Sequence, residues 1–110
     1  MKRCKVCEPR WCGATWLYVA TARAGNYPVK VGISGSVGAR MATHRKKEGR
    51  RDIYAAHRVE FNCEYLAAQA ETIALNDLRN SDVNVKGDWF SCSTDRAIKA
   101  VNDAASLVAP

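Results

Sequence analysis

A chain of 110 residues makes one domain, and 47% apolar residues suit a packed globule and exclude a disordered polyelectrolyte. Folding at this size removes somewhat over ~60% of the unfolded chain's surface from water, enough for a core that needs neither crosslinks nor metal. The net charge of +6 is concentrated: Arg40, Arg45, Lys46, Lys47, Arg50 and Arg51 face one internal carboxylate, Glu48, leaving +5 on that stretch. Such a patch repels itself unless an anion lies against it, and a polyphosphate backbone is the commonest anion of that kind. The plainer reading, a solvated helix face, loses ground here because the run also holds two groups capable of phosphate chemistry.

No stretch approaches the ~18 apolar residues of a membrane span, and Met1-Lys2-Arg3-Cys4 leads into no apolar run of signal-peptide length. The expected location is a cytoplasm, where the five cysteines stay reduced. Their odd number also speaks against a complete disulfide framework.

Residues 1–13 read as a cysteine-rich arm and 14–108 as the folded domain. Aromatic and β-branched content predicts a strand over 14–23. Ala24-Gly25-Asn26-Tyr27-Pro28 supplies turn chemistry, and alternation predicts a second strand over 29–34, so the pair forms a hairpin. Ser36 is the N-cap of a helix reaching about Lys47 and stopped by Gly49. Residues 52–61 alternate into a third strand, with Ile53, Ala55, His57, Val59 and Phe61 on one face and Tyr54, Ala56, Arg58 and Glu60 on the other. Asn62 caps a long alanine- and leucine-rich helix from about Cys63 to Arg79. A polar connection over 81–86 follows, then a short extended piece over 89–92, then a helix capped by Ser93 or Thr94 and running to about Leu107. The expected class is α+β: a small three-stranded, mostly antiparallel sheet flanked by three helices.

Four places on this frame carry chemistry. Arg40 and His44 stand one helical turn apart, so both address one ligand from one helix face. A guanidinium fork stabilises the added charge of a pentavalent phosphate, and an imidazole donates to it or moves a proton. Glu71 shares a stripe with Ala67, Ala74, Leu75 and Leu78, where a carboxylate is costly unless it meets a cation, a donor or a metal. Tyr18, mid-strand, reads either as a half-buried packing residue or as a phenol that orients water. Lys30 on the neighbouring strand either supplies charge beside that phenol or acts as a base itself. Trp16, Trp89 and Phe90 read as core, Trp11 as core or as an exposed base-stacking ring, and His57 as a satisfied core histidine.

In this order the residues resemble the GIY-YIG endonuclease superfamily, in the phage-type branch with a degraded second signature. The first triplet falls on Trp16-Leu17-Tyr18 and the second on Lys30-Val31-Gly32. Arg40, His44 and Glu71 follow in order, and Gly87-Asp88-Trp89-Phe90 looks like the segment that closes the phage-type domain. Trp16 stands where the first glycine belongs and Lys30 where the second tyrosine belongs. The resemblance implies hydrolysis of DNA phosphodiesters at a single Mg²⁺ or Mn²⁺ held by Glu71, with Tyr18 and Lys30 activating water and Arg40 and His44 stabilising the transition state. The catalytic set it implies is therefore Tyr18, Lys30, Arg40, His44 and Glu71. The backbone contacts fall to Arg45, Lys46, Lys47, Arg50, Arg51 and Arg58.

Two rival classes share the scaffold: a DNA-binding module whose chemistry has lapsed with Lys30, and a phage-made protein-interaction domain that inhibits a host enzyme. The arm adds a separate candidate. Cys4-x-x-Cys7 with Cys12 gives three thiols within nine residues, and Cys92 or Cys63 completes a tetrahedral zinc site if the fold brings it close. The alternative is three reduced thiols on a loose arm. A single active site makes one nick, so a double-strand break requires a dimer or two visits.

Overall fold

The computed structural model describes residues 14–23, 28–80 and 89–108, together with the backbone of 84–86. The cysteine-rich arm, including Cys4, Cys7, Trp11 and Cys12, lies outside the described residues, as do Gly87 and Asp88. The order of elements is β1 (Thr15–Ala22), β2 (Val29–Ser34), α1 (Val37–Glu48), β3 (Ile53–Phe61), α2 (Glu64–Asn80), β4 (Asn84–Lys86), β5 (Trp89–Phe90) and α3 (Thr94–Val108). All strand pairings are antiparallel, in the spatial order β3-β1-β2-β5-β4. The class is α+β with three helices, as expected, but the sheet has five strands rather than three. The additional two are very short: β5 is a strand only by pairing onto the start of β2, and β4 only by pairing with β5.

Strand alternation sorts the central side chains to two layers. Leu17, Val19, Val29, Val31 and Phe90 meet the alanine-rich faces of α2 and α3, where Ala67, Ala70, Ala74, Ala97, Ala100 and Ala104 let the two helices approach closely. On the other face Tyr18, Ala20 and Ala22 pack with Val37 and Met41 of α1 and with Ile53. β1 is therefore covered on both sides, which accounts for its nearly unbroken apolar run. α2 and α3 are also tied by a two-pronged ion pair, Arg96 to Asp77 at 2.8 and 3.2 Å.

The helix ends follow local chemistry. The Ser36 hydroxyl accepts from the Ala39 amide, and Gly49 closes α1 at φ 66°, in the left-handed region that favours glycine. The Ser93 hydroxyl accepts from the Arg96 amide at 3.0 Å, which makes Ser93 the cap of α3. No helix among the described residues is long and apolar enough to cross a membrane.

One strand departs from the expected alternation. β3 pairs with β1 as Val19↔His57 but Ala20↔Ala55, so Ala56 is an extra residue facing no partner of its own. This bulge flips the faces along the strand. Ile53 and Ala55 side with α1, whereas His57, Val59 and Phe61 turn to the α2–α3 layer. His57 is not a core residue either, since its Nε2 meets the Oδ1 of Asn102 on α3 at 2.8 Å near the surface.

Candidate active site

The site starts from one cross-strand pair. Tyr18 stands opposite Gly32 in the β1–β2 ladder. Its ring lies across that glycine so closely that a Cβ at position 32 would sit 2.6 Å from the phenolic oxygen and 2.9 Å from Cζ. A glycine inside a strand often marks such a close approach, and here it gives the second triplet its physical meaning. The phenolic oxygen meets His44 Nε2 at 2.8 Å. Tyr18 is wholly buried, and His44 is only 7% exposed. Among the described residues no buried side-chain nitrogen or oxygen lacks a partner.

The electrostatics hold this imidazole neutral. Burial lowers the His44 pKa below its ordinary value, and the positive charges of Lys30 and Arg40 lower it further, against a smaller opposing pull from Glu48. Lys30 is placed by the sheet: it lies opposite Ala20 on one side and Trp89 on the other, so all three share the face that carries Tyr18. Its Nζ lies 5.8 Å from the centre of the Trp89 ring, and the same ring meets His44 edge-on. Arg40 is exposed one turn before His44 on α1.

Four of the five expected residues, Tyr18, Lys30, Arg40 and His44, thus gather on the α1 face of the sheet. Glu71 belongs to the other layer. It is half-buried on α2, which packs on the Leu17 and Val31 face. Among the described residues no group of three or more His, Cys, Asp or Glu is arranged to hold a metal ion. Cys92 is half-buried and burial pushes its thiol upward, while Cys63 is fully buried.

The basic residues divide. Lys46, Lys47 and Arg51 are exposed, as is Arg58 on β3. Arg45 and Arg50 are largely committed elsewhere: Arg45 donates from Nε to the Ile53 carbonyl at 2.8 Å, pinning the end of α1 to β3, and Arg50 forks onto Asp52 at 2.8 and 2.9 Å. Two tryptophans expected in the core are instead half-buried at this surface. Trp16 packs against the α1-side cluster with Arg58 4.9 Å above its ring centre, and Trp89 packs there beneath Lys30. For Trp16 the signal was present, since a residue two before Tyr18 shares its face. For Trp89 it was not, because its face depends on pairing with β2. An open groove between α2 and α3, lined by Tyr65, Ile73 and Leu107 among others, contains none of the expected catalytic residues.

Fold and site together define a small α+β domain that presents a neutral, tyrosine-held histidine amid basic and aromatic side chains. A family model described as the T5orf172 domain matches residues 15–105, and the chain belongs to that family. Membership is compatible with a nuclease-like or DNA-binding phage domain. No curated protein and no solved structure matches the chain.

Proposed function

We propose that the domain is a metal-dependent DNA endonuclease of the GIY-YIG type, with His44 as its proton-handling group. The observation that carries the reading is the buried 2.8 Å contact between Tyr18 and His44, set over a glycine that has no room for a side chain and flanked by Lys30 and Arg40. A histidine held neutral, with Nε2 fixed by the phenol, keeps a second ring nitrogen for general acid–base work. With Nδ1 unprotonated it takes a proton from an attacking water; as the other tautomer it donates to a phosphate oxygen. Tyr18 has no surface open to solvent, so we assign it the task of orienting His44 rather than of meeting the water itself. The Arg40 guanidinium balances charge developing on the phosphate, and Lys30 adds to the same field.

Glu71 is the residue that would hold Mg²⁺ or Mn²⁺. Magnesium is commonly bound by one or two carboxylates with water and substrate oxygens completing the shell, so a single half-buried glutamate suits it. When bound, such an ion stabilises the leaving oxygen of a phosphodiester. Glu71 lies on the α2 layer, so this assignment requires its carboxylate to reach the Tyr18–His44 face around the edge of the sheet.

The exposed cations Lys46, Lys47, Arg51 and Arg58 would take the DNA backbone. Zinc at Cys4, Cys7, Cys12 and Cys92 is a separate proposal, tested by metal content of protein purified under reducing conditions. A second reading, a DNA-binding module without chemistry, is favoured by one observation, the burial of the signature tyrosine. Supercoiled plasmid separates the two. The nuclease nicks it with Mg²⁺ or Mn²⁺ and stops with chelator, and Glu71→Gln lowers the rate by about 10²- to 10³-fold, the usual cost of losing one such electrostatic group. Plasmid and gapped duplex that are both shifted in a gel but cut with neither metal would leave the binding module.

A further inference from the structure

The two tryptophans at the site face are placed as a pair of platforms around the Tyr18–His44 unit. Trp16, Tyr18 and Ala20 project to one side of β1, and Trp89 reaches the same side through Lys30, which stands opposite both Ala20 and Trp89. At ~3.3 Å per residue along a strand and ~4.8 Å between strands, their backbones lie roughly 16 Å apart on the sheet, with Tyr18 between them. Each ring rests against the α1-side cluster and carries a cation above it, Arg58 over Trp16 and Lys30 over Trp89. Two of the cation–ring pairs among the described residues thus stand on tryptophans that flank this one histidine, while another, Arg23 over Tyr54, lies away from it.

We infer that these platforms stack unpaired DNA bases on either side of the scissile linkage, so that the substrate class is DNA with unpaired nucleotides rather than intact duplex. The chemistry is an exchange. Arg58 and Lys30 rest on aromatic faces until a phosphate arrives, and a phosphate attracts a guanidinium or an ammonium more strongly than a ring quadrupole does. Moving the cation onto the phosphate uncovers the ring for the adjoining base. An intact duplex cannot use such a surface, because its bases are already stacked on one another and offer only their edges. Unpaired bases present a π face, which every base possesses, so the surface tolerates any sequence while selecting structure.

This inference rests on the reading of the domain as one that acts on DNA, and the experiment separates the two. Anisotropy titrations with chelator present compare a labelled duplex with the same duplex carrying a three-nucleotide single-stranded gap. The gapped DNA is expected to bind at least tenfold more tightly and to quench tryptophan fluorescence of the unaltered protein, which the intact duplex does not. Trp16→Leu and Trp89→Leu keep an apolar group against the cluster but remove the π face. Each should weaken gapped-DNA binding by roughly 5- to 150-fold while leaving the salt dependence unchanged, because stacking releases no counterions. Equal affinity for gapped and intact DNA, or absence of quenching in the unaltered protein, overturns the inference and leaves the nuclease reading standing. Failure to bind DNA of either form overturns both.

Discussion

Gly32→Ala tests the geometry on which the site depends. The new methyl would lie 2.6 Å from the Tyr18 oxygen, 2.9 Å from Cζ and 3.3 Å from Cε2, and the ring is fully buried, so it must move. Overpacking of this kind costs ~1–3 kcal/mol, and a displaced phenol that loses His44 leaves a buried polar group unsatisfied, at ~1–3 kcal/mol in its own right. Against this stands the ~0.4–1 kcal/mol that glycine-to-alanine exchange contributes by restricting the unfolded chain. The steric effect wins, and a net loss of about 1–5 kcal/mol lowers the melting temperature by at least roughly 4–8 °C, at ~4–8 °C per kcal/mol. Gly38→Ala is the matched control. It lies in α1 with nothing within 4 Å of a new Cβ, so helix propensity should raise stability by ~0.5–1 kcal/mol. Thermal denaturation followed by circular dichroism measures both. The clash is mainly with an oxygen, so the penalty of Gly32→Ala should shrink by at least ~0.5 kcal/mol in a Tyr18→Phe background. A Gly32→Ala protein that melts within ~2 °C of the parent would refute the close approach and the site built upon it.

The lowered pKa of His44 makes stability depend on pH with a definite sign: below 6.5 the unfolded chain takes up a proton that the folded chain resists, so stability is fully present above 6.5 and lost as pH falls through the lower folded value. Denaturant titrations across that window should show this loss in the parent and its absence in His44→Gln, and an identical pH profile for the two would disprove the assignment. Replacing both Lys46 and Lys47 by Gln should weaken DNA binding regardless of sequence and reduce the log–log salt slope by about 0.9 for each phosphate the lysines had neutralised; an unchanged slope would remove these lysines from the interface.

What could be seen in the sequence was local. Ser36 and Gly49 bound α1 because a cap hydroxyl and a left-handed glycine act within one turn, and the stripe that reveals Glu71's half-buried position is a matter of helical period alone. What could not be seen was pairing at a distance. β5 is two residues long, and nothing in Trp89-Phe90 announces that one ring enters the core while the other joins Lys30. The Tyr18–His44 contact spans 26 positions and was reachable only through the order of residues in a known superfamily.

The bulge at Ala56 is the most consequential of these hidden features. An alanine carries no sign of a bulge, since the bulge is defined by the partner strand. Yet under strict alternation Ile53 and Arg58 would lie on opposite faces of β3, and whichever of them met α1, the other would face the α2–α3 layer. Inserting one unpaired residue between Ala55 and His57 lets Ile53 seal the cluster under α1 while Arg58 comes up opposite Tyr18 and over the Trp16 ring. The strand thus supplies core at one end and a cation to the site at the other. A chain lacking that extra residue would have to give up one or the other.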